Sequence, residues 1–331
     1  MGDTEEGLAR WLGELWHEPV TVDGLRESSA GARRRNVLFD AHAGARTVPL
    51  AATIIPTVEI QILDPISEGR VRTVAEDGGV PVPHVHGSTM DQSYVGGAFF
   101  VSDRIEGETI PRRVLRQAAA TGHGELVVAQ IGAALARLHA IDPAKAPDTL
   151  VRPPDDAPVG FALANLELAI NDLLKPEPAF AYGLRWLREN RPHEPARCTL
   201  VHSDVRNGNI IVGPDGLRAI LDWEGSRLGD PMEDVAWPQT RMWRFGEDAN
   251  ILGGLAGVEP YRQGYIDAGG TWDGDRIRWW RALTTLRWGC GLANQAAQHL
   301  DGRFRSIVMA GSGRRVPELE YDTLLLIRPD A

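Results

Sequence analysis

The sequence predicts an α+β protein with a smaller strand-rich N-terminal part and a larger helical C-terminal part. Residues 35–41 alternate between apolar and other side chains, and residues 47–55 return after a short turn, which is typical of paired β-strands. From residue 124 onward, apolar side chains recur at three- and four-residue steps, the spacing of helices with one buried face. We expect the first part to cover residues 1–106 and the second to cover residues 107–331.

The individual elements follow from the same spacing rules. Residues 4–16 are predicted to be helical because Leu8, Trp11, Leu12 and Leu15 fall on one helix face. A stretch rich in Pro and Asp between residues 144 and 160 breaks the helical pattern and predicts a loop. Further helices are predicted at 124–140, 161–174 and 180–190. His139, which has no second ligand beside it, is interpreted as a packed or capping residue.

The composition is that of an ordinary soluble globular protein of 331 residues, 43% hydrophobic and 24% charged. A net charge of −10 argues against a nucleic-acid partner, which would need a clustered basic surface. No apolar run approaches the roughly 20 residues that span a membrane, and the N-terminal MGDTEEGLAR is acidic where a signal peptide is basic. We therefore expect no membrane partner and a cytoplasmic location. Cys198 and Cys290 lack metal-ligand spacing and are expected to be free thiols.

Residues 200–237 concentrate the polar side chains that indicate a function. His202-x-Asp204 is followed, five residues after the Asp, by Asn209, which opens an apolar run. The sequence Gly-Pro-Asp-Gly ends that run with a turn, and the return leg leads to Asp222, so the segment is predicted to be a hairpin. Folding the two legs together brings Asn209 close to Asp222, with Asp204 on the loop just before them.

These oxygen ligands suit Mg²⁺, which is usually held by one or two protein groups together with waters and substrate phosphates. Asp204 is then free for another task, because in phosphoryl transfer a carboxylate near the acceptor hydroxyl orients that hydroxyl and takes its proton. An exposed polar loop between two strands is the simpler explanation of the motif. The hairpin and its terminal Asp222 favour the metal site.

The same stretch resembles the catalytic and metal-binding segment of the aminoglycoside phosphotransferase (choline kinase-like) family, whose members are relatives of protein kinases. The resemblance implies a bilobal protein-kinase-like fold, Asp204 as the catalytic base, and Asn209 and Asp222 as Mg²⁺ ligands. It also implies that Asp230 and Asp234 are structural carboxylates that brace the loop. The motifs that carry it are His202-x-Asp204-x4-Asn209, Leu221-Asp222-Trp223-Glu224 and Leu228-Gly229-Asp230-Pro231-x2-Asp234-x-Ala236-Trp237.

Two further regions are assigned by the resemblance. A small-residue turn at 28–32, which includes Ser29 and Gly31, lies where the family covers the nucleotide phosphates with backbone N–H groups. Small residues permit that close approach, although many ordinary hairpin turns have the same composition. Residues 99–107 resemble the last N-lobe strand and the hinge that receives adenine through backbone groups, with Asp103 and Ile105 as the contacts.

At one point the sequence departs from the family pattern. The strand at 47–55 should carry a Lys or Arg that pairs with the nucleotide phosphates, yet no basic residue lies between Arg46 and Arg70. Glu68 matches the helix position whose Glu normally holds that cation, and it would then lack its partner. Either Arg46 or a member of the Arg33-Arg34-Arg35 run supplies the cation, or ATP binding is weak, absent or of another kind.

The predicted function is the ATP- and Mg²⁺-dependent phosphorylation of a hydroxyl group on a small molecule, either a metabolite or an antibiotic-like alcohol. Trp280 and Trp288 are expected in the core, but the resemblance places the acceptor site in this Trp-rich region, where an aromatic wall suits a partly apolar alcohol. The alternative is a pseudokinase-like ligand-binding protein, or an enzyme with a repurposed kinase cleft, because the strand lacks its Lys. The presence of Asp204, Asn209 and Asp222 together favours the kinase. The oligomeric state stays open.

Overall fold

The computed structural model describes residues 2–27, 34–56 and 63–328, and it has the bilobal α+β fold that the sequence predicts. The strands are β1 (Val20–Glu27), β2 (Arg35–Ala43), β3 (Arg46–Ile55), β4 (Val85–Thr89), β5 (Ala98–Asp103), β6 (Thr199–Val201), β7 (Ile210–Gly213), β8 (Gly216–Ile220) and β9 (Arg227–Gly229). The helices are α1 (Gly2–Trp16), α2 (Pro65–Asp77), α3 (Pro111–Thr121), α4 (Gly124–Ala140), α5 (Pro158–Asn171), α6 (Pro178–Glu189), α7 (Pro231–Ala236), α8 (Val258–Asp267), α9 (Gly274–Leu300), α10 (Ile307–Ser312) and α11 (Val316–Ile327).

The N-lobe is built on an antiparallel sheet with the strand order β1-β2-β3-β5-β4. Alternate residues of β2, β3 and β5 form one apolar face, which packs against Leu8, Trp11 and Leu12 of α1. Strand β1 was not predicted as a separate strand. It lies at the edge of the sheet, and its register shifts between Asp23 and Arg26, so its burial pattern does not alternate.

Helix α2 lies on the other face of the sheet. It begins after Asp64, whose side chain accepts hydrogen bonds from the amides of Ile66 and Ser67, both at 2.9 Å, and Pro65 occupies the first helical position. The Arg72 guanidinium lies 4.8 Å from the ring centroid of Phe100 on β5. This contact identifies the face of the sheet that packs against α2.

The C-lobe is helical, and its centre is the contact between α4 and α8. Gly132 and Gly264 make this contact possible, because a Cβ atom on Gly132 would lie 2.3 Å from the Tyr261 carbonyl oxygen and one on Gly264 would lie 2.1 Å from that of Ala129. The long helix α9 places the fully buried Trp280 in the same core, as predicted. None of the helices in the described ranges combines the length and the apolar character that crossing a lipid bilayer requires.

Candidate active site

The predicted hairpin is present and fixes the positions of two polar residues. Strands β7 and β8 pair Ile210 with Ile220, and the Leu221 amide donates to the Asn209 carbonyl oxygen at 2.8 Å. Asn209 and Asp222 therefore lie side by side at the open end of the hairpin. Asp222 has a left-handed backbone (φ 65°, ψ 63°), which is unusual for a residue other than glycine and is typical of functional positions.

Asp204 lies beside this end and is held by donors from three directions. Its Oδ1 accepts from the indole Nε1 of Trp237 at 2.7 Å and from Arg206 Nε at 3.1 Å. Its Oδ2 accepts from the Asn209 side-chain Nδ2 at 2.6 Å. The Asp204 side chain keeps 27% of its surface exposed, so a hydroxyl group can still approach it.

The pKa of Asp204 is raised by burial, which disfavours the charged carboxylate. The positive charge of Arg206 acts in the opposite direction, the negative charge of Asp222 adds to the rise, and the hydrogen bond from Trp237 opposes it. A carboxylate with a raised pKa is a stronger proton acceptor than an ordinary surface Asp. The surroundings of Asp204 therefore suit a general base.

The chemistry of Asn209 and Asp222 fits a magnesium site that is completed by a ligand. The Asn209 Nδ2 group donates to Asp204, both to its carbonyl oxygen and to Oδ2, and this leaves the amide oxygen free to accept a cation. Within the described ranges, no protein group donates a hydrogen bond to the Asp222 carboxylate, and no three His, Cys, Asp or Glu side chains are grouped to hold a metal by themselves. Two protein oxygens completed by phosphates and water match the usual habit of Mg²⁺.

The loop that carries Asp204 is braced by Asp234, which is fully buried. Its carboxylate accepts from the amides of His202 at 2.7 Å and Ser203 at 2.5 Å. His139 lies between Asp234 Oδ2 (3.2 Å) and the Tyr265 hydroxyl (2.9 Å), so it is a packed residue as expected. Burial pushes the pKa of Asp234 up, but the hydrogen bonds from His139 and the His202 amide outweigh this effect, and the pKa is lowered.

Asp230, the other carboxylate assigned to the loop, has a different position. It accepts from the Met232 amide (2.9 Å), from Arg276 Nε (2.6 Å) and from Trp280 Nε1 (2.8 Å). These contacts start α7 and tie it to α9, whereas it is Asp234 that accepts directly from the loop.

A charged cluster joins the two lobes beside Asp222. Arg34, the residue before β2, donates from Nη1 to Glu68 Oε2 of α2 at 2.8 Å, and its Nη2 lies 2.6 Å from Glu224 Oε2. The expectation that Glu68 lacks a partner is therefore wrong. Burial disfavours the charge on Arg34, but Glu68, Glu224 and Asp222 outweigh that effect, so the pKa of Arg34 is raised.

The structure does not bring Arg35 and Arg46 to this cluster. Arg35 Nε donates to Glu27 Oε1 at 2.6 Å and its Nη2 to Thr4 at 3.4 Å, on the α1 side of the sheet. Arg46 pairs with Glu18 and stacks on Trp16 at the opposite end of β3. Ser29 and Gly31, which were predicted to cover phosphates, lie outside the described residues, in the segment that connects β1 to β2.

The predicted hinge lies at the end of β5. The Asp103 amide donates to the His84 carbonyl oxygen at 2.9 Å, and its carboxylate lies 2.8 Å from His86 Nε2, so neither group is free. The Arg104 amide is also used, by the Pro49 carbonyl oxygen at 3.0 Å. Within the described ranges, the next amide without a hydrogen-bond partner is that of Ile105, so of the two predicted contacts Ile105 has the available N–H group.

An aromatic wall borders Asp204 on the C-lobe side. Trp237, Trp243 and Trp288 pack against one another with ring centroids 5.2 to 5.9 Å apart. The Arg206 guanidinium lies 4.5 Å from the centroid of the Trp243 ring. Trp288, which was expected in the core, is partly buried and packs against the core cluster that contains Trp237 and Trp243.

The sequence did not identify the roles of three residues of the site. Trp237 was noted only as the end of a motif, Glu224 only as part of the metal-binding segment, and Arg34 was one of several candidate cations. The available signals were the position of Glu224 two residues after Asp222 and the indole N–H of Trp237, which needs an acceptor when it is buried.

Comparisons with known proteins identify a family and a fold. The model of the phosphotransferase enzyme family matches residues 25–280. Mouse acyl-CoA dehydrogenase family member 10 is 27% identical over 272 residues, which are 77% of this chain and 25% of that protein. The chain thus spans about a quarter of the length of that curated relative.

Solved structures show the same fold. A candidate aminoglycoside phosphotransferase from Ralstonia eutropha JMP134 is 20% identical, with 97% of each chain covered and a TM-score of 0.71. A thermostable mutant of another aminoglycoside phosphotransferase, solved with ADP and hygromycin B, is 16% identical, with 96% of this chain and 98% of that chain covered and a TM-score of 0.63.

Proposed function

Because the chain belongs to the phosphotransferase enzyme family, we propose that it transfers the γ-phosphoryl group of ATP to a hydroxyl group of a small molecule, with Mg²⁺ as cofactor. The observation that carries the proposal is the arrangement of Asp204, Asn209 and Asp222 at one end of the β7-β8 hairpin. The division into residues 1–106 and 107–331 follows the same proposal, with the cleft between the two lobes.

Each group has one task in the proposed reaction. Asp204 accepts the proton of the acceptor hydroxyl while the acceptor oxygen forms a bond to phosphorus and the bond from phosphorus to the ADP oxygen breaks. Asn209 and Asp222 would hold Mg²⁺, which neutralises charge on the transferring group when it is bound. The Ile105 amide would donate to the adenine ring. Transfer leaves a phosphate ester, ADP and a proton.

The hydrogen bonds around Asp204 support this assignment. Oδ1 accepts hydrogen bonds from Trp237 and Arg206, and Oδ2 accepts one from Asn209. Together these bonds fix the orientation of the carboxylate. A fixed carboxylate positions a hydroxyl without further loss of side-chain freedom, which is one source of catalytic rate.

The aromatic wall favours an acceptor with an apolar portion. Of the three rings, Trp237 and Trp243 are almost fully buried and carry the guanidinium groups of Arg287 and Arg206, and Trp288, which is partly buried, leaves apolar surface exposed, whereas a polycationic aminoglycoside would call for carboxylates. The relative named as an acyl-CoA dehydrogenase family member suggests hydroxylated acyl compounds as the first acceptors to test.

The proposal is tested by incubating the protein with ATP, Mg²⁺ and a panel of alcohols, and by measuring ADP release and the mass of the product. Asp204→Asn keeps the size of the side chain but removes the base, so turnover should fall by about a hundredfold or more while nucleotide binding is retained. Asp172→Asn, an exposed carboxylate after α5, is the matched control and should leave turnover unchanged. An undiminished rate in Asp204→Asn would refute the assignment of the base.

A ligand-binding protein without catalysis remains the competing proposal. It was proposed because the strand lacks its Lys. Arg34, which lies beside Asp222, places a positive charge in the same region and weakens this reason. If nucleotide binds but no alcohol in the panel is phosphorylated and ATP is not hydrolysed, the binding function is favoured.

A further inference from the structure

Strand β3 offers no cation at the position where it faces α2 and the cleft. Thr53 of β3 is paired directly with Phe100 of β5, and Arg72 of α2 covers Phe100. Since directly paired residues of antiparallel strands point to the same face, Thr53 points toward α2. Its hydroxyl donates to Asn36 Oδ1 at 2.9 Å, so an uncharged pair occupies this position.

Arg34 reaches the same region from another direction. Strand β2 pairs Arg35 with Ile54, so Arg34 enters the sheet at the end of β3. Its side chain is only 11% exposed and lies between Glu68 of the N-lobe and Glu224 of the C-lobe. The negative charge of Asp222 contributes to the raised pKa of Arg34.

The two carboxylates do not hold Arg34 equally. Glu68 is 2% exposed and makes an aligned hydrogen bond with Nη1. Glu224 is 40% exposed, and its 2.6 Å contact with Nη2 is not aligned as a hydrogen bond, so among the residues that the structure describes Nη2 is a buried donor without an acceptor. A buried donor of this kind costs free energy until a ligand or water accepts from it. The Glu68 contact is therefore the anchor, and an oxyanion that displaces the half-exposed Glu224 would supply the acceptor that Nη2 lacks.

The charges around the cleft also favour the binding of phosphates by Arg34. Asp204 is paired with Arg206, whereas Glu68, Asp222 and Glu224 all interact with Arg34, and one Mg²⁺ does not offset these three carboxylates together with the phosphates. A guanidinium remains protonated and presents parallel N–H groups that fit phosphate oxygens.

We propose that Arg34, delivered from the start of β2, binds the β- and γ-phosphates of the nucleotide in place of a cation on β3, with Glu68 as the positioning residue that holds it. This inference rests on the proposed nucleotide-dependent function. On binding, phosphate oxygens accept from Nη2 and replace the unaligned contact with Glu224, while the contact with Glu68 is kept.

The test is a series of affinities for adenosine, AMP, ADP and ATP, measured by calorimetry with Mg²⁺ in the wild type and in Arg34→Ala. We expect Arg34→Ala to weaken ATP and ADP by about tenfold or more, the scale of one charge-assisted contact. Adenosine and AMP should bind as in the wild type, since they lack the phosphates that Arg34 contacts. Arg35→Ala is the matched control, because the neighbouring side chain pairs with Glu27 away from the cleft, and all four affinities should stay unchanged.

Arg34→Ala leaves Glu68 buried without its cation and can lower stability by itself. The double variant Arg34→Ala/Glu68→Gln removes both charges, and it should show the same selective loss of ATP and ADP. Equal ATP affinity in the wild type and the double variant would overturn the role of Arg34 while leaving the proposed function intact. Equal losses for adenosine and ATP would also overturn it, because they would indicate a general distortion. If the wild type binds none of the four ligands, both the inference and the proposed function fail.

Discussion

Replacement of Trp237 by Phe should shift the pH dependence of the reaction. The change removes the indole N–H that donates to Asp204 Oδ1 at 2.7 Å, while an aromatic ring remains against Trp243 and Trp288. A hydrogen bond to a charged acceptor contributes about 1.5 to 3 kcal/mol. Because the Asp204 side chain is 27% exposed, water replaces part of this bond, and we take the lower end of the range.

The direction of the pH shift depends on which protonation state of Asp204 the hydrogen bond stabilises. The indole N–H stabilises the carboxylate and lowers the pKa of Asp204 against the effect of burial, so its loss makes protonation easier. About 1.5 kcal/mol corresponds to roughly one pH unit. Since the base acts only when it is deprotonated, the acidic limb of the kcat profile should move to higher pH by about that amount. The rate on the alkaline plateau should fall by less than the hundredfold expected for loss of the base.

The assay is ADP release at saturating ATP and acceptor, followed across the pH range in which both proteins stay folded. Trp288→Phe is the control, because its ring belongs to the same wall but its Nε1 donates to Met242 Sδ at 2.7 Å and not to Asp204. An acidic limb that stays in place in Trp237→Phe, or that moves equally in Trp288→Phe, would refute the reasoning.

Two further predictions concern the metal site and the core. Asp222→Ala should abolish the increase in Tm that Mg²⁺ and ATP produce together, because it removes the only carboxylate proposed to bind the metal. Asp215→Ala, at the exposed hairpin turn, is the control and should retain the increase. An unchanged increase in Asp222→Ala would place the metal elsewhere. Arg276→Ala should lower the free energy of unfolding by about 3 kcal/mol, since it leaves the fully buried Asp230 without its cation. Arg262→Ala, which breaks an exposed ion pair, should cost less than about 1 kcal/mol in the same denaturant titration, and equal losses would contradict the argument from burial.

Features set by neighbouring residues could be predicted from the sequence. The β7-β8 hairpin follows from its turn residues, which is why Asn209 and Asp222 were expected side by side. The start of α2 follows from Asp64 and Pro65, and the bounds of α4 match the prediction at 124–140. These elements are specified within a few residues, so a local rule is sufficient.

Contacts between distant segments could not be predicted in this way. Arg34 and Glu68 are 34 positions apart, and Asp204 and Trp237 are 33 positions apart. Nothing in the local spacing distinguishes Arg34 from Arg35, although one points into the cleft and the other toward Glu27. That difference follows from the register of β2 against β3 and from the packing of α2 on the sheet.

The use of arginine in the cleft has a consequence for chemical labelling. Acyl phosphate analogues of ATP mark nucleotide-binding enzymes by acylating a lysine amine beside the phosphates, whereas a guanidinium stays protonated and does not react. The chain contains only two lysines, Lys145 and Lys175, and both are exposed, with Lys145 on the groove beside α2 and Lys175 paired with Glu177. Such reagents would not label this cleft even if it binds ATP. A proteomic survey that fails to capture the protein therefore carries no information about its nucleotide affinity.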